Sequence, residues 1–138
     1  MIVKTWKKIA ATGAAAAVAG MGMLATAAPA SAATYGGQCG SGYGVIRSAS
    51  VGGEGTAFLT YNSSNATNCV VVIRNNPGSA VLMNAWIKRS SESTWRDDRG
   101  YYTTYAGPVY RNAPSQCVDW GGYIQGGGRV DFTNDACG

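Results

Sequence analysis

Ala57-Phe58-Leu59-Thr60-Tyr61, a polar stretch at residues 62–68, then Cys69-Val70-Val71-Val72-Ile73-Arg74: two short runs around a loop decide how this chain folds. The first alternates. On an extended backbone Ala57, Leu59 and Tyr61 share one side, and Phe58 and Thr60 the other. The second is apolar without a break until Arg74, as in a strand covered on both faces. Neither run keeps a 3.6-residue period, and no stretch after residue 33 does.

Working outward, Gly52-Gly53-Glu54-Gly55 precedes the first run and Asn75-Asn76-Pro77-Gly78 follows the second. Both are turn signals, because Pro presets φ and Gly supplies φ > 0. Upstream, residues 43–51 read as a strand. Downstream, residues 80–89 form the longest run: Val81, Met83, Ala85 and Ile87 on one face, Leu82, Asn84, Trp86 and Lys88 on the other. Ala, Leu and Met also suit a helix, but the turn residues on both sides favour a strand. Residues 101–110 are rich in Tyr and Thr and contain Gly107-Pro108. Pro cannot donate to a ladder, so this stretch belongs at an edge or a bend. Residues 118–124 and 129–133 are the last strands, joined across Gly126-Gly127-Gly128. The expected fold is all-β, a small disulfide-bonded β-sandwich or barrel of about seven or eight short strands.

The N-terminal segment has a different character. Lys4, Lys7 and Lys8 are followed by an Ala-rich apolar stretch, residues 9–28, then Pro29 and Ala30-Ser31-Ala32. This is the three-part pattern of a secretory signal peptide. Residues 1–32 are therefore expected to be removed, leaving residues 33–138 as a single mature β domain that is exported and needs no membrane afterwards. Of eleven basic residues three leave with the leader, while all seven acidic ones stay, so the mature part carries eight against seven. The basic character of the whole chain lies mostly in the leader and gives no reason to expect nucleic acid as a partner.

All four cysteines, Cys39, Cys69, Cys117 and Cys137, lie in the mature part. An even count in a small exported domain reads as two disulfides. Three pairings are open. Cys39–Cys69 with Cys117–Cys137 is the expected one, since each bridge would pin a terminal segment to the start of an apolar strand.

The chain has no histidine, which removes Ser-His-Asp and Cys-His catalysis and most zinc sites, and no CxxC spacing exists. No cofactor or metal is expected. Lys88 is the one lysine outside the leader, and its strand position reads as a snorkelling strand end. The seven carboxylates offer no recognisable glycosidase pair, and Asp97-Asp98-Arg99-Gly100 reads as a charged turn. The expectation is a protein that is not an enzyme. Tyr and Trp pair a large apolar face with a polar tip and so suit glycans and protein interfaces. Trp95, Tyr101, Tyr102, Tyr105 and Tyr110 lie close in sequence and form the candidate contact surface; Trp86 and Trp120 are expected in the core. Adjacent Tyr101 and Tyr102 must point opposite ways on a strand. Asn62-Ser63-Ser64 and Asn65-Ala66-Thr67 match the N-glycosylation sequon, which places residues 62–68 at the surface.

Five ordered segments carry a family resemblance. They are Cys39-Gly40-Ser41-Gly42-Tyr43, Phe58-Leu59-Thr60-Tyr61-Asn62, Asn68-Cys69-Val70-Val71, Tyr105-Ala106-Gly107-Pro108-Val109-Tyr110 and Cys117-Val118-Asp119-Trp120-Gly121-Gly122. Together they resemble the spore-associated protein A family of streptomycetes and related actinomycetes, over nearly the whole mature chain. The resemblance implies a small exported protein found with spores and aerial hyphae. It implies no enzyme activity and supplies no catalytic residues. The leading expectation is thus a non-catalytic secreted protein associated with the spore or cell surface, with spore-coat or cell-wall components as partners. The alternatives are a carbohydrate-binding or lectin-like module using the aromatics, and a secreted protease inhibitor using residues 112–116. The oligomeric state stays open.

Overall fold

Nine strands and no helix make up residues 32–138, which are the residues that the computed structural model describes. The expected leader, residues 1–32, lies outside them apart from Ala32. The strands are β1 (Gly44–Val51), β2 (Gly55–Asn62), β3 (Thr67–Arg74), β4 (Val81–Arg89), β5 (Arg96–Asp97), β6 (Gly100–Tyr102), β7 (Tyr105–Asn112), β8 (Val118–Ile124) and β9 (Gly128–Asp135). They form two antiparallel sheets. Sheet A has the order β1-β2-β3-β7. Sheet B has the order β5-β4-β8-β9, with β6 pairing the same edge of β4 as β5. No ladder joins the sheets, so the fold is an open β-sandwich and not a closed barrel.

The chain crosses between sheets three times, at residues 75–80, 103–104 and 113–117. Arg74, the polar end of the long apolar run, clamps two of these crossings together. Its Nη1 donates to the carbonyls of Ser79 and Thr103 at 2.9 and 3.0 Å. The alternation read from the sequence sets the core. Ala57 and Leu59, Val70 and Val72, and Met83, Ala85 and Ile87 face inward, joined by Val118, Trp120 and Ile124 of β8. The run expected at residues 80–89 is a strand, β4, from Val81 onward. Gly122 lies on the inner face opposite Ala85, and a Cβ there would strike Val72 of the other sheet, so glycine lets the sheets close.

The outer face of sheet A is covered as well, which explains why residues 69–73 are apolar on both sides. Phe58, Val71 and Ile73 pack under Ala33, Tyr35 and Tyr105, so residues from the N-terminal segment lie across that face. Cys39–Cys69 staples the segment there, and Cys117–Cys137 ties the C-terminal end to the start of β8. The pairing is the one expected from the sequence. Buried Thr60 on this face is satisfied internally, its Oγ1 donating to the Cys69 carbonyl, and Asn68 on the opposite face donates its Nδ2 to the Thr60 carbonyl.

Two readings of the sequence need correction. Residues 101–110 are not one strand. Tyr101 and Tyr102 pair with β4 in sheet B, whereas residues 105–112 form the β7 edge of sheet A. The polar Thr103-Thr104 step carries the chain across, and this division with the two-residue β5 brings the count to nine. Gly107-Pro108 does lie at an edge, at a break in the β3–β7 register. The sequon loop is only partly exposed, because Asn62 and Asn68 are buried while Ser63, Ser64 and Asn65 are open.

Candidate functional site

The outer face of sheet B is built from the β4 residues that the alternation sets apart from the core. Leu82, Asn84 and Trp86 line a groove of about 540 Å³ with Tyr123 of β8, Arg129 of β9, and Trp95, Asp97 and Arg99 from the edge segment. The register explains the grouping. Asn84 lies opposite Tyr123, Tyr123 opposite Arg129, and Trp86 opposite Asp97 on one side and Gly121 on the other. Directly paired residues share a face. By the same rule Tyr101, opposite Leu82, extends this face.

Trp86 forms the floor. A Cβ on Gly121 would run into the Val130 carbonyl and press on the indole, so glycine lets the ring lie across β8. The Arg129 guanidinium sits 4.7 Å from the Trp86 ring and is gripped by Asp131 through two hydrogen bonds of 2.7 and 2.9 Å. Arg129, with help from the Trp86 indole, holds the Asp131 carboxyl below its ordinary range despite burial. Trp86 is therefore buried, as the sequence suggested, but on the outer face and not between the sheets. Its parity with Leu82, Asn84 and Lys88 was the signal that could have placed it here.

Trp95 forms one wall and is 44% exposed. Lys88 positions it, with Nζ 5.0 Å from the ring centre. Lys88 is not a free strand end. It pairs with Asp119 at 2.9 Å and donates to the Glu92 carbonyl at 2.9 Å. Burial pushes the Asp119 carboxyl up, but Ser90 Oγ, the Asn134 N–H and Lys88 outweigh it, and the net shift is downward. The loop before Trp95 is anchored across the sandwich by Glu92, which takes two 2.7 Å hydrogen bonds from Arg111 of β7 and one from the Arg89 N–H.

These bonds lower Glu92 to about 2, led by the Arg111 side chain. The folded value lies below the ordinary 4.5, so the pair contributes stability that is full above about 4.5 and lost as pH falls through about 2. A Glu92→Gln variant should melt below the parent at neutral pH, with the gap closing in acid. Melting curves against pH check this, and a gap that widens in acid would contradict it.

The five aromatics singled out in the sequence are divided among the outer face of sheet B, the core and the outer face of sheet A. Trp95 and Tyr101 lie on the outer face of sheet B, and Tyr101 is 69% exposed. Tyr102 turns the other way, as adjacency requires, and packs on the core with its hydroxyl donating to Asp98 at 2.6 Å. Burial and that carboxylate push it up to about 12. Tyr105 and Tyr110 belong to the outer face of sheet A. Tyr105 packs on Phe58, Val71 and Ile73, and Tyr110 donates to the Cys39 carbonyl and meets Tyr43 edge-on. Sequence reasoning missed Leu82, Asn84, Tyr123 and Arg129, which come from three different strands.

The groove couples aromatic faces to planar polar groups. Asn84 Nδ2 donates to Asp97 at 3.2 Å and its Oδ1 accepts from the Asp98 N–H, which orients both side chains. Arg99 has no hydrogen bond or ion pair among the described residues.

Comparison with known proteins now bears on this geometry. The chain is 44% identical over 122 residues to Spore-associated protein A of Streptomyces coelicolor, covering 84% of this chain and 79% of the relative. The chain belongs to the spore-associated protein A family. No family model and no solved structure matches it. In this chain the segment Cys117-Val118-Asp119-Trp120-Gly121-Gly122 has a physical reading: a bridge, an inward Val, an anion for Lys88, a core indole, and two glycines that admit Trp86 and the facing sheet.

Proposed function

We propose that this protein is exported and works without catalysis at the surface of the spore or cell, as a binding protein. The observation that carries the reading is the likeness to a relative whose name states association with spores. Two disulfides agree with life in an oxidising compartment, and the basic, apolar and Ala30-Ser31-Ala32 pattern agrees with export. The non-catalytic part rests on the absence of histidine and on the direction of the carboxylate shifts. Glu92, Asp119, Asp131 and Asp135 are all held low by donors and cations, whereas a general acid at neutral pH needs a raised value. The loop weighed for protease inhibition is a tight turn. Ala113 is buried, the Gln116 N–H returns to its carbonyl, and the exposed Asn112 is tied down by Arg89 and the Asn65 carbonyl, so Pro114 and Ser115 alone are exposed and untethered and the loop offers little to a protease cleft.

Fractionating a sporulating culture tests the proposal. The protein should be recovered from spore washes or wall, with an intact mass lacking residues 1–32. Recovery of the full-length chain in membranes, or of all the protein free in the medium, would contradict it.

A further inference from the structure

We propose that the groove on the outer face of sheet B is a binding site for a neutral polysaccharide. This rests on the surface-binding reading above and names its ligand class. The two outer faces are not equivalent. That of sheet A is covered by the chain's own N-terminal segment, stapled through Cys39–Cys69, while that of sheet B is crossed by no described segment. The open face presents what a sugar ring recognises. Trp95, Tyr101 and Tyr123 supply aromatic surface for the apolar C–H faces of a pyranose. Asn84, Asp97 and Arg99 are planar groups between them that can reach neighbouring hydroxyls with two hydrogen bonds each. A polymer of sugars can run along such a groove and engage several of these residues in turn.

Other occupants fit less well. A peptide added as a strand needs an unpaired sheet edge; beside Trp95 and Tyr101 that edge of β4 is already taken by β5 and β6, and the free edge of sheet B, at β9, lies at the opposite end of the strand order. An anionic partner needs unpaired cations. Lys88 is neutralised by Asp119 and Arg129 by Asp131, leaving Arg99 beside Asp97. A lipid surface needs a continuous apolar patch, and Leu82 is followed along the groove by Asn84 and Asp97.

The test is titration of the mature, disulfide-bonded protein with soluble oligomers of neutral hexoses and N-acetylhexosamines, followed by calorimetry. At least one oligomer should bind, with affinity little changed by added salt. Trp95→Ala and Tyr101→Ala should each weaken it by roughly thirtyfold, the loss expected for truncating an aromatic hot spot, with melting unchanged. Arg99→Ala, an exposed change that leaves the fold alone, is the second probe should Trp95→Ala melt low, and it too should weaken binding. No binding across the panel, binding that survives all three substitutions, or binding abolished by salt would overturn the proposal. A protein found on spores that binds no oligomer rejects the ligand and leaves the surface reading intact. One that binds an oligomer but stays wholly in the medium does the reverse.

Discussion

Replacing Cys39 and Cys69 together by Ser should lower the melting temperature by on the order of 15 °C. The bridge closes 30 residues, and the chain-entropy cost of opening such a loop is about 3–4 kcal/mol. A domain of this size loses about 4–8 °C per kcal/mol, and its whole stability is about 5–15 kcal/mol. The loss should go beyond chain entropy. Without the staple the N-terminal segment can lift, and Phe58, Val71 and Ile73 would meet water. Thermal unfolding of the Ser pair beside the parent measures the effect. A shift of only a few degrees would mean that Tyr35 and Ala33 hold the segment down unaided.

Trp120→Ala should cost about 3–5 kcal/mol, the range for emptying an aromatic from a core. Trp120 is 1% exposed and stacks on Phe132 at 4.8 Å. Its Nε1 donates to Asp135 at 2.9 Å, and Asp135 also takes Arg47 at 3.0 Å, so the indole belongs to a link from β8 through β9 to β1. The substitution leaves both a cavity and an acceptor that has lost its donor. Trp95→Ala, at an exposed groove wall, should cost little. Denaturant unfolding of both variants separates a core indole from a contact indole. Comparable losses at the two positions would contradict the placement of Trp95.

The face assignments were legible because alternation is a local property. Val81, Met83, Ala85 and Ile87 separate from Leu82, Asn84, Trp86 and Lys88 by position alone, and burial follows that division except at half-buried Val81 and at Trp86, which is buried on the outer face. The turns at Gly52-Gly53-Glu54-Gly55 and Gly126-Gly127-Gly128 were legible for the same reason, since both connect hairpins. The bridges were legible because each places a terminal segment beside a strand that already needed cover. Strand partnership was not. Nothing local in residues 101–110 says that Tyr101 pairs with Leu82 while Tyr110 pairs with Cys69 in the other sheet. The groove depends on that choice, so only Trp95 and Tyr101 of its aromatics could be picked out, among three that lie elsewhere. Lys88 shows the same limit, because its partner Asp119 is 31 positions away in sequence and beside it only through the β4–β8 register.

One face of the sandwich is partly covered by the chain's own N-terminal segment, and the other is the proposed working surface. Oxidative footprinting of the protein, free and bound to spore-wall fragments, tests this most directly. Trp95, Tyr101 and Tyr110 are 44%, 69% and 38% exposed, so all three should label in the free protein. On binding, Trp95 and Tyr101 should be protected while Tyr110 goes on labelling as before. Protection of Tyr110 with Trp95 and Tyr101 still open would contradict the account.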